Sequence, residues 1–74
     1  MKTVSLKSEI SGTVWKIESV VGAEVETDDV LLILESMKME IPVLAPRKGR
    51  ITEFRVSEGE SIAEGQVVLL FEPS

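Results

Sequence analysis

Apolar positions along this chain come in short bursts, and two of them dominate: VLLIL at 30–34 and VVLLF at 67–71. The second is an unbroken apolar run bounded by Gly65 and Pro73, the pattern of a buried strand. The first, taken alone, also suits a helix, because Asp28 is a plausible cap and the Leu, Glu, Met and Lys of DDVLLILESMKMEI favour one. Its likeness to the second run decides for strand. TVWKIESV (13–20) and RITEFRVS (50–57) are rich in β-branched and aromatic residues, again strand-like. Their apolar spacing is three (Val14/Ile17, Ile51/Phe54) rather than two, which predicts a bulge or a strong twist. Gly22 and Gly59 are expected to supply turns with positive φ. The pattern predicts an all-β chain with strands at 2–6, 13–19, 30–36, 39–43, 50–56 and 67–71, and short pairings near Val25 and Ile62.

The two dominant runs belong to a longer repeat. Residues 11–35 align without a gap on residues 48–72, an offset of 37. Gly12 meets Gly49, Gly22 meets Gly59, Val30 meets Val67, Leu32 meets Leu69 and Glu35 meets Glu72, while Val14/Ile51, Ile17/Phe54, Val25/Ile62 and Leu34/Phe71 keep apolar character. The pairing extends upstream through Val4/Ile41 and Leu6/Val43. A single domain, 1–74, made of quasi-repeats 1–37 and 38–74 is therefore expected, its two β halves packed face to face as a sandwich related by a pseudo-twofold.

That symmetry puts Lys38 at the junction of the copies, in a tight turn between strands 30–36 and 39–43. Met37 and Met39 then flank it on an exposed tip instead of filling the core. Turns ordinarily carry Gly, Asn, Asp or Ser, and exposed large apolar side chains cost solubility. Methionine is flexible and polarizable, suited to a partner's pocket. The arrangement therefore reads as a lysine displayed to a second protein.

Composition narrows the chemistry. The chain has 74 residues, no cysteine and no histidine, with eight basic residues against thirteen acidic ones for a net charge of −5. Ordinary zinc ligand sets and thiol nucleophiles are excluded, and no phosphate-cradling glycine motif occurs. An enzyme acting alone is not expected. The acidic balance argues against nucleic acid, with PRKGR at 46–50 only a weak basic cluster, and no apolar run is long enough to span a membrane. MKTVSLKSEI has neither the apolar core nor the cleavage site of a signal peptide, so a cytoplasmic location is the expectation. ETDD at 26–29 reads as a solvated face, and Trp15, matched by Thr52 in the repeat, as a packing residue outside the shared core.

ESMKMEIPVLAPRKG resembles the attachment site of the biotinyl/lipoyl carrier domains, and the resemblance covers essentially the whole chain. Glu35, Met37, Lys38 and Met39 match the E-A-M-K-M pattern of biotin carriers, with Ser36 in place of the alanine. Ala45, Pro46 and Gly49 match an A-P-x-x-G shared with lipoyl domains, and Gly22 matches a turn glycine common to both. The resemblance implies a flattened β-barrel or sandwich of two four-stranded antiparallel sheets with the modified lysine at a hairpin. It implies that Lys38 receives covalent biotin from a biotin protein ligase and serves as a swinging arm between biotin carboxylase and carboxyltransferase. Met37 and Met39 would then be read by the ligase. Glu35 would contact or position, although its repeat partner Glu72 allows a merely structural role. The gapless repeat leaves no room for the inserted thumb of some bacterial carriers, so the chain looks more like the thumbless carriers of multifunctional carboxylases. Pro42 removes a backbone donor, so its strand should lie at an edge.

Two alternatives keep the fold. Lipoate attached to Lys38 by a lipoate ligase, in place of biotin or in a dually modified domain, suits Ser36 but not the methionines, since lipoyl domains typically show E-[ST]-D-K-A. An unmodified scaffold module would tolerate Lys38→Arg, whereas a carrier would lose its cargo.

Overall fold

Every strand has a counterpart 37 residues away. The computed structural model describes residues 3–74. Its strands are β1 Val4–Lys7, β2 Gly12–Ile17, β3 Glu24–Val25, β4 Val30–Ser36, β5 Met39–Leu44, β6 Gly49–Phe54, β7 Ser61–Ile62 and β8 Val67–Pro73. They form two antiparallel four-stranded sheets, ordered β1-β8-β6-β3 and β5-β4-β2-β7. Replacing each strand by its counterpart turns one order into the other, so the pseudo-twofold exchanges the sheets.

The halves are interleaved, which differs from the expected packing of one half on the other. β1 and β3 lie in one sheet while β2 and β4 lie in the other, because the corners at 8–11 and 18–23 carry the chain across the sandwich. Backbone hydrogen bonds lock equivalent corners alike. Gly65 N donates to Ser8 O at 2.8 Å and Asp28 N to Ala45 O at 2.8 Å; Gly59 N donates to Val14 O and Gly22 N to Ile51 O, both at 2.7 Å. Among the described residues no strand pairing joins the two sheets, so the architecture is a sandwich and not a closed barrel. Among the described residues the edge strands β1 and β5 are unpaired along their outer sides.

The predicted bulges are present in both copies. Val14 pairs with Leu34 and Lys16 with Ile33, leaving Trp15 as the extra residue; Ile51 pairs with Phe71 and Glu53 with Leu70, leaving Thr52. With Val14 turned inward and Ile17 packed on the core, the two residues between them face solvent. Trp15 is accordingly 48% exposed and is a surface residue, a correction to its reading as packing. The core consists of repeat pairs, Val14/Ile51, Val25/Ile62, Leu31/Val68, Leu32/Leu69 and Leu34/Phe71, with Ala45 and Val56. Sequence placed the strands well and their ends less so. β2 and β6 stop at Ile17 and Phe54, β8 runs on to Pro73, and the expected start of the first strand at residue 2 lies outside the described residues.

Candidate functional site

β4 and β5 form the hairpin that presents Lys38. Their pairing runs from Val30↔Leu44 to a last rung at Ser36↔Met39, so the loop is the two residues Met37 and Lys38. Both have positive φ, 52° and 68°. Two central residues in the left-handed region are the signature of a type I′ turn, whose twist suits a two-residue hairpin and which normally carries Asn-Gly. A side chain with a Cβ costs about 1 kcal/mol or more in that conformation. The tip thus carries strain at both loop positions, in a place where asparagine and glycine would relieve it.

All three tip side chains face solvent. Met37 is 92% and Met39 63% exposed, and Lys38 is exposed between them. Among the described residues Lys38 takes part in no ion pair. Its amine is therefore open to being gripped by another protein. No group of metal-ligating side chains gathers among the described residues.

One rung below the tip, Glu35 stands across from Glu40 and beside Thr13. Like charges directly opposite on a sheet are mildly repulsive. In the other sheet the counterpart Glu72 stands beside Arg50, and the two form an ion pair of 3.7 Å. The structural role of Glu72 is therefore not shared by Glu35, which has Thr13 where Glu72 has an arginine. Glu35 and Glu40 flank the Met-Lys-Met run in sequence, and the cross-strand register sets them directly opposite each other.

Two structural features hold the tip in place. A Cβ on Gly12 would overlap the Glu35 carbonyl oxygen and crowd Ser36, so glycine lets β2 run tightly against the base of the hairpin. Pro42 sits opposite Ile33 on the edge strand. In a two-residue hairpin the paired positions alternate, which turns the Pro42 nitrogen away from β4, toward the open edge, where no ladder bond is lost.

A family model described as biotin-requiring enzyme matches residues 2–71. The chain is 42% identical over 67 residues to the biotin/lipoyl attachment protein of Bacillus subtilis, an alignment covering 90% of this chain and 89% of that one. It is 39% identical to the biotin-dependent acyl-coenzyme A carboxylase alpha3 subunit of Mycobacterium leprae, covering 86% of this chain but only 11% of the larger subunit. Among solved structures, a single-chain, multi-domain long-chain acyl-CoA carboxylase superimposes with a TM-score of 0.93 at 28% identity, over 97% of this chain and 7% of that one.

Proposed function

This chain belongs to the biotin/lipoyl attachment family of the biotin-requiring enzymes, and on that premise we propose that Lys38 is the attachment residue and biotin its cargo. The domain is a carrier, not a catalyst: activity resides in partner domains. The observation that carries the assignment to Lys38 is the strained, solvent-exposed Met37–Lys38 turn with Met39 beside it.

The chemistry divides between this chain and its partners. The ligase activates the carboxyl group of biotin as an acyl-adenylate. The deprotonated Lys38 amine attacks the acyl carbon; a C–N bond forms, the bond to the phosphate oxygen breaks, AMP leaves, and the amine proton passes to a base of the ligase. Met37 and Met39 offer apolar grips on either side, and Glu35 with Glu40 a local negative field. Once attached, biotin supplies a ureido nitrogen able to hold a carboxyl group. The chain's own part is to keep the attachment point rigid, exposed and distant from the core. Tethering raises the effective concentration of the carried group at each active site within reach. The likeness to carboxylase subunits supports biotin carboxylase and carboxyltransferase domains as the partners served. Lipoate at the same lysine is the second reading, favoured by Ser36 and by the likeness to a biotin/lipoyl attachment protein.

Intact mass and peptide mapping of protein made in a host supplied with biotin and lipoate test the assignment. A biotin-sized increment on Lys38, absent from Lys38→Arg, is expected. A lipoyl-sized increment would favour the second reading. An unmodified mass, in a host that modifies a control carrier, would sink both.

A further inference from the structure

The internal repeat supplies its own control, since strand positions 41–44, 30–36 and 12–17 on the sheet bearing Lys38 have counterparts at 4–7, 67–73 and 49–54 on the other sheet. On the outward face of the Lys38 sheet, Ile33 lies between Pro42 and Lys16, Trp15 bulges out beside Lys16, and Val30 pairs with Leu44. Trp15, Val30 and Leu44 are 48%, 41% and 41% exposed. The counterparts of Trp15, Pro42 and Leu44 on the other sheet are Thr52, Ser5 and Lys7. Ile33 and Val30 have apolar counterparts, Leu70 and Val67, so the apolar surplus of the Lys38 sheet is Trp15, Pro42 and Leu44. The fold does not require the indole, because Thr52 occupies the equivalent bulge. The next row toward the tip holds Thr13, Glu35 and Glu40; in the other sheet Arg50, the counterpart of Thr13, pairs with Glu72, the counterpart of Glu35.

We propose that this face, centred on Trp15 and Ile33 and rimmed by Glu35 and Glu40, is the docking surface for the ligase that modifies Lys38. The ligase meets it with an apolar pocket for the indole and with lysine or arginine side chains for the two carboxylates. The inference rests on the reading of Lys38 as the modified residue. Exposed tryptophan within a patch bordered by unneutralised charge is the composition of an interface hot spot. Distance selects the occupant. Ile33 and the Trp15 bulge lie three rungs from Ser36–Met39, roughly 10 Å at ~3.3 Å per residue. A protein interface of ~800 Å² per partner is roughly 30 Å across. An enzyme that brings its active site to the amine, one lysine side chain from the backbone, therefore covers this face.

The test is modification of Lys38 by a bacterial biotin protein ligase with biotin and magnesium ATP, followed by intact mass. Trp15→Thr, which installs the repeat's own residue, should raise KM at least tenfold with kcat within twofold, while Thr52→Ala on the opposite sheet changes neither. Glu35→Gln/Glu40→Gln should raise KM and flatten its salt dependence. Unchanged KM in a folded Trp15→Thr protein would overturn the proposal. Should that variant not fold, the chain's single tryptophan gives a direct readout. In ¹⁵N-labelled Lys38→Arg protein titrated with unlabelled ligase, the indole N–H should shift together with the amides of 36–40. An unmoved indole beside shifting tip amides would overturn the proposal equally. Wild-type protein left unmodified by a ligase that acts on a control carrier would instead remove the Lys38 reading on which the proposal stands.

Discussion

Met37 and Lys38 hold left-handed backbone that neither residue prefers, and only one of them has to be lysine. Asparagine tolerates that region better and is common at the first position of a type I′ turn. Met37→Asn should therefore stabilise the domain by about 1 kcal/mol, raising Tm by roughly 4–8 °C for a chain of this size. The same change should slow biotinylation, because the polarizable grip beside the lysine is gone. Thermal unfolding and the ligase assay, run on one preparation, check the opposed outcomes; a variant with a lower Tm as well as slower biotinylation would mean the turn is not strained. The turn itself was legible in sequence because the repeat places Lys38 at a junction. Its φ angles were not, because the usual Asn-Gly announcement is absent. Asp28 is a parallel case: it has φ 71° where its counterpart Gly65 has φ 87°, and nothing in ETDD marked it.

At the scale of strands and corners, glycines divide by what surrounds them. A Cβ at Gly49 would overlap the Glu72 carbonyl oxygen and the Phe71 ring; one at Gly12 would meet the equivalent Glu35 carbonyl and the Ser36 side chain, with no aromatic ring; one at Gly59 has open space but a φ of 87°. Urea denaturation should rank the alanine variants in that order. Gly49→Ala should lose the most, about 2–4 kcal/mol, because the conflict is with backbone and a core ring. Gly12→Ala should lose less, and Gly59→Ala about 1 kcal/mol from backbone conformation alone. Equal losses at all three would contradict the close approach of β2 and β6 to their neighbours. Sequence alignment found Gly12 and Gly49 as a matched pair yet began the strands one residue later, since glycine reads as a boundary. Here both glycines lie within strands because a neighbouring backbone comes too close for any side chain. The bulges, by contrast, were readable from the three-residue apolar spacing. What spacing could not give was the direction of Trp15, which depends on the bulge turning two successive side chains to the same face.

The molecule as a whole is one scaffold used twice, and the features proposed for ligase recognition stand on one of its two sheets. The repeated core pairs and corner hydrogen bonds hold both sheets, so a change in them should affect folding wherever it is made. Differences between the sheets are free of that constraint, which is why Glu35–Glu40, Trp15 and the Met-Lys-Met tip stand out against Glu72–Arg50 and Thr52. Charge makes the same separation testable. With a net charge of −5 the folded chain repels itself, and salt shortens the reach of that repulsion from ~30 Å at 0.01 M to ~3 Å at 1 M. Raising ionic strength should therefore raise Tm by a few degrees. It should also weaken ligase encounter, because the attraction of a basic partner to the Glu35–Glu40 row is screened by the same ions. Wild type should thus grow more stable and less readily biotinylated as salt rises. Glu35→Gln/Glu40→Gln should begin more stable at low salt and show little change in KM across the range. Parallel falls in stability and modification with salt would mean that attractive ion pairs such as Arg50–Glu72, not net repulsion, govern the fold. A KM indifferent to salt in wild type would mean that the carboxylate row plays no part in recognition.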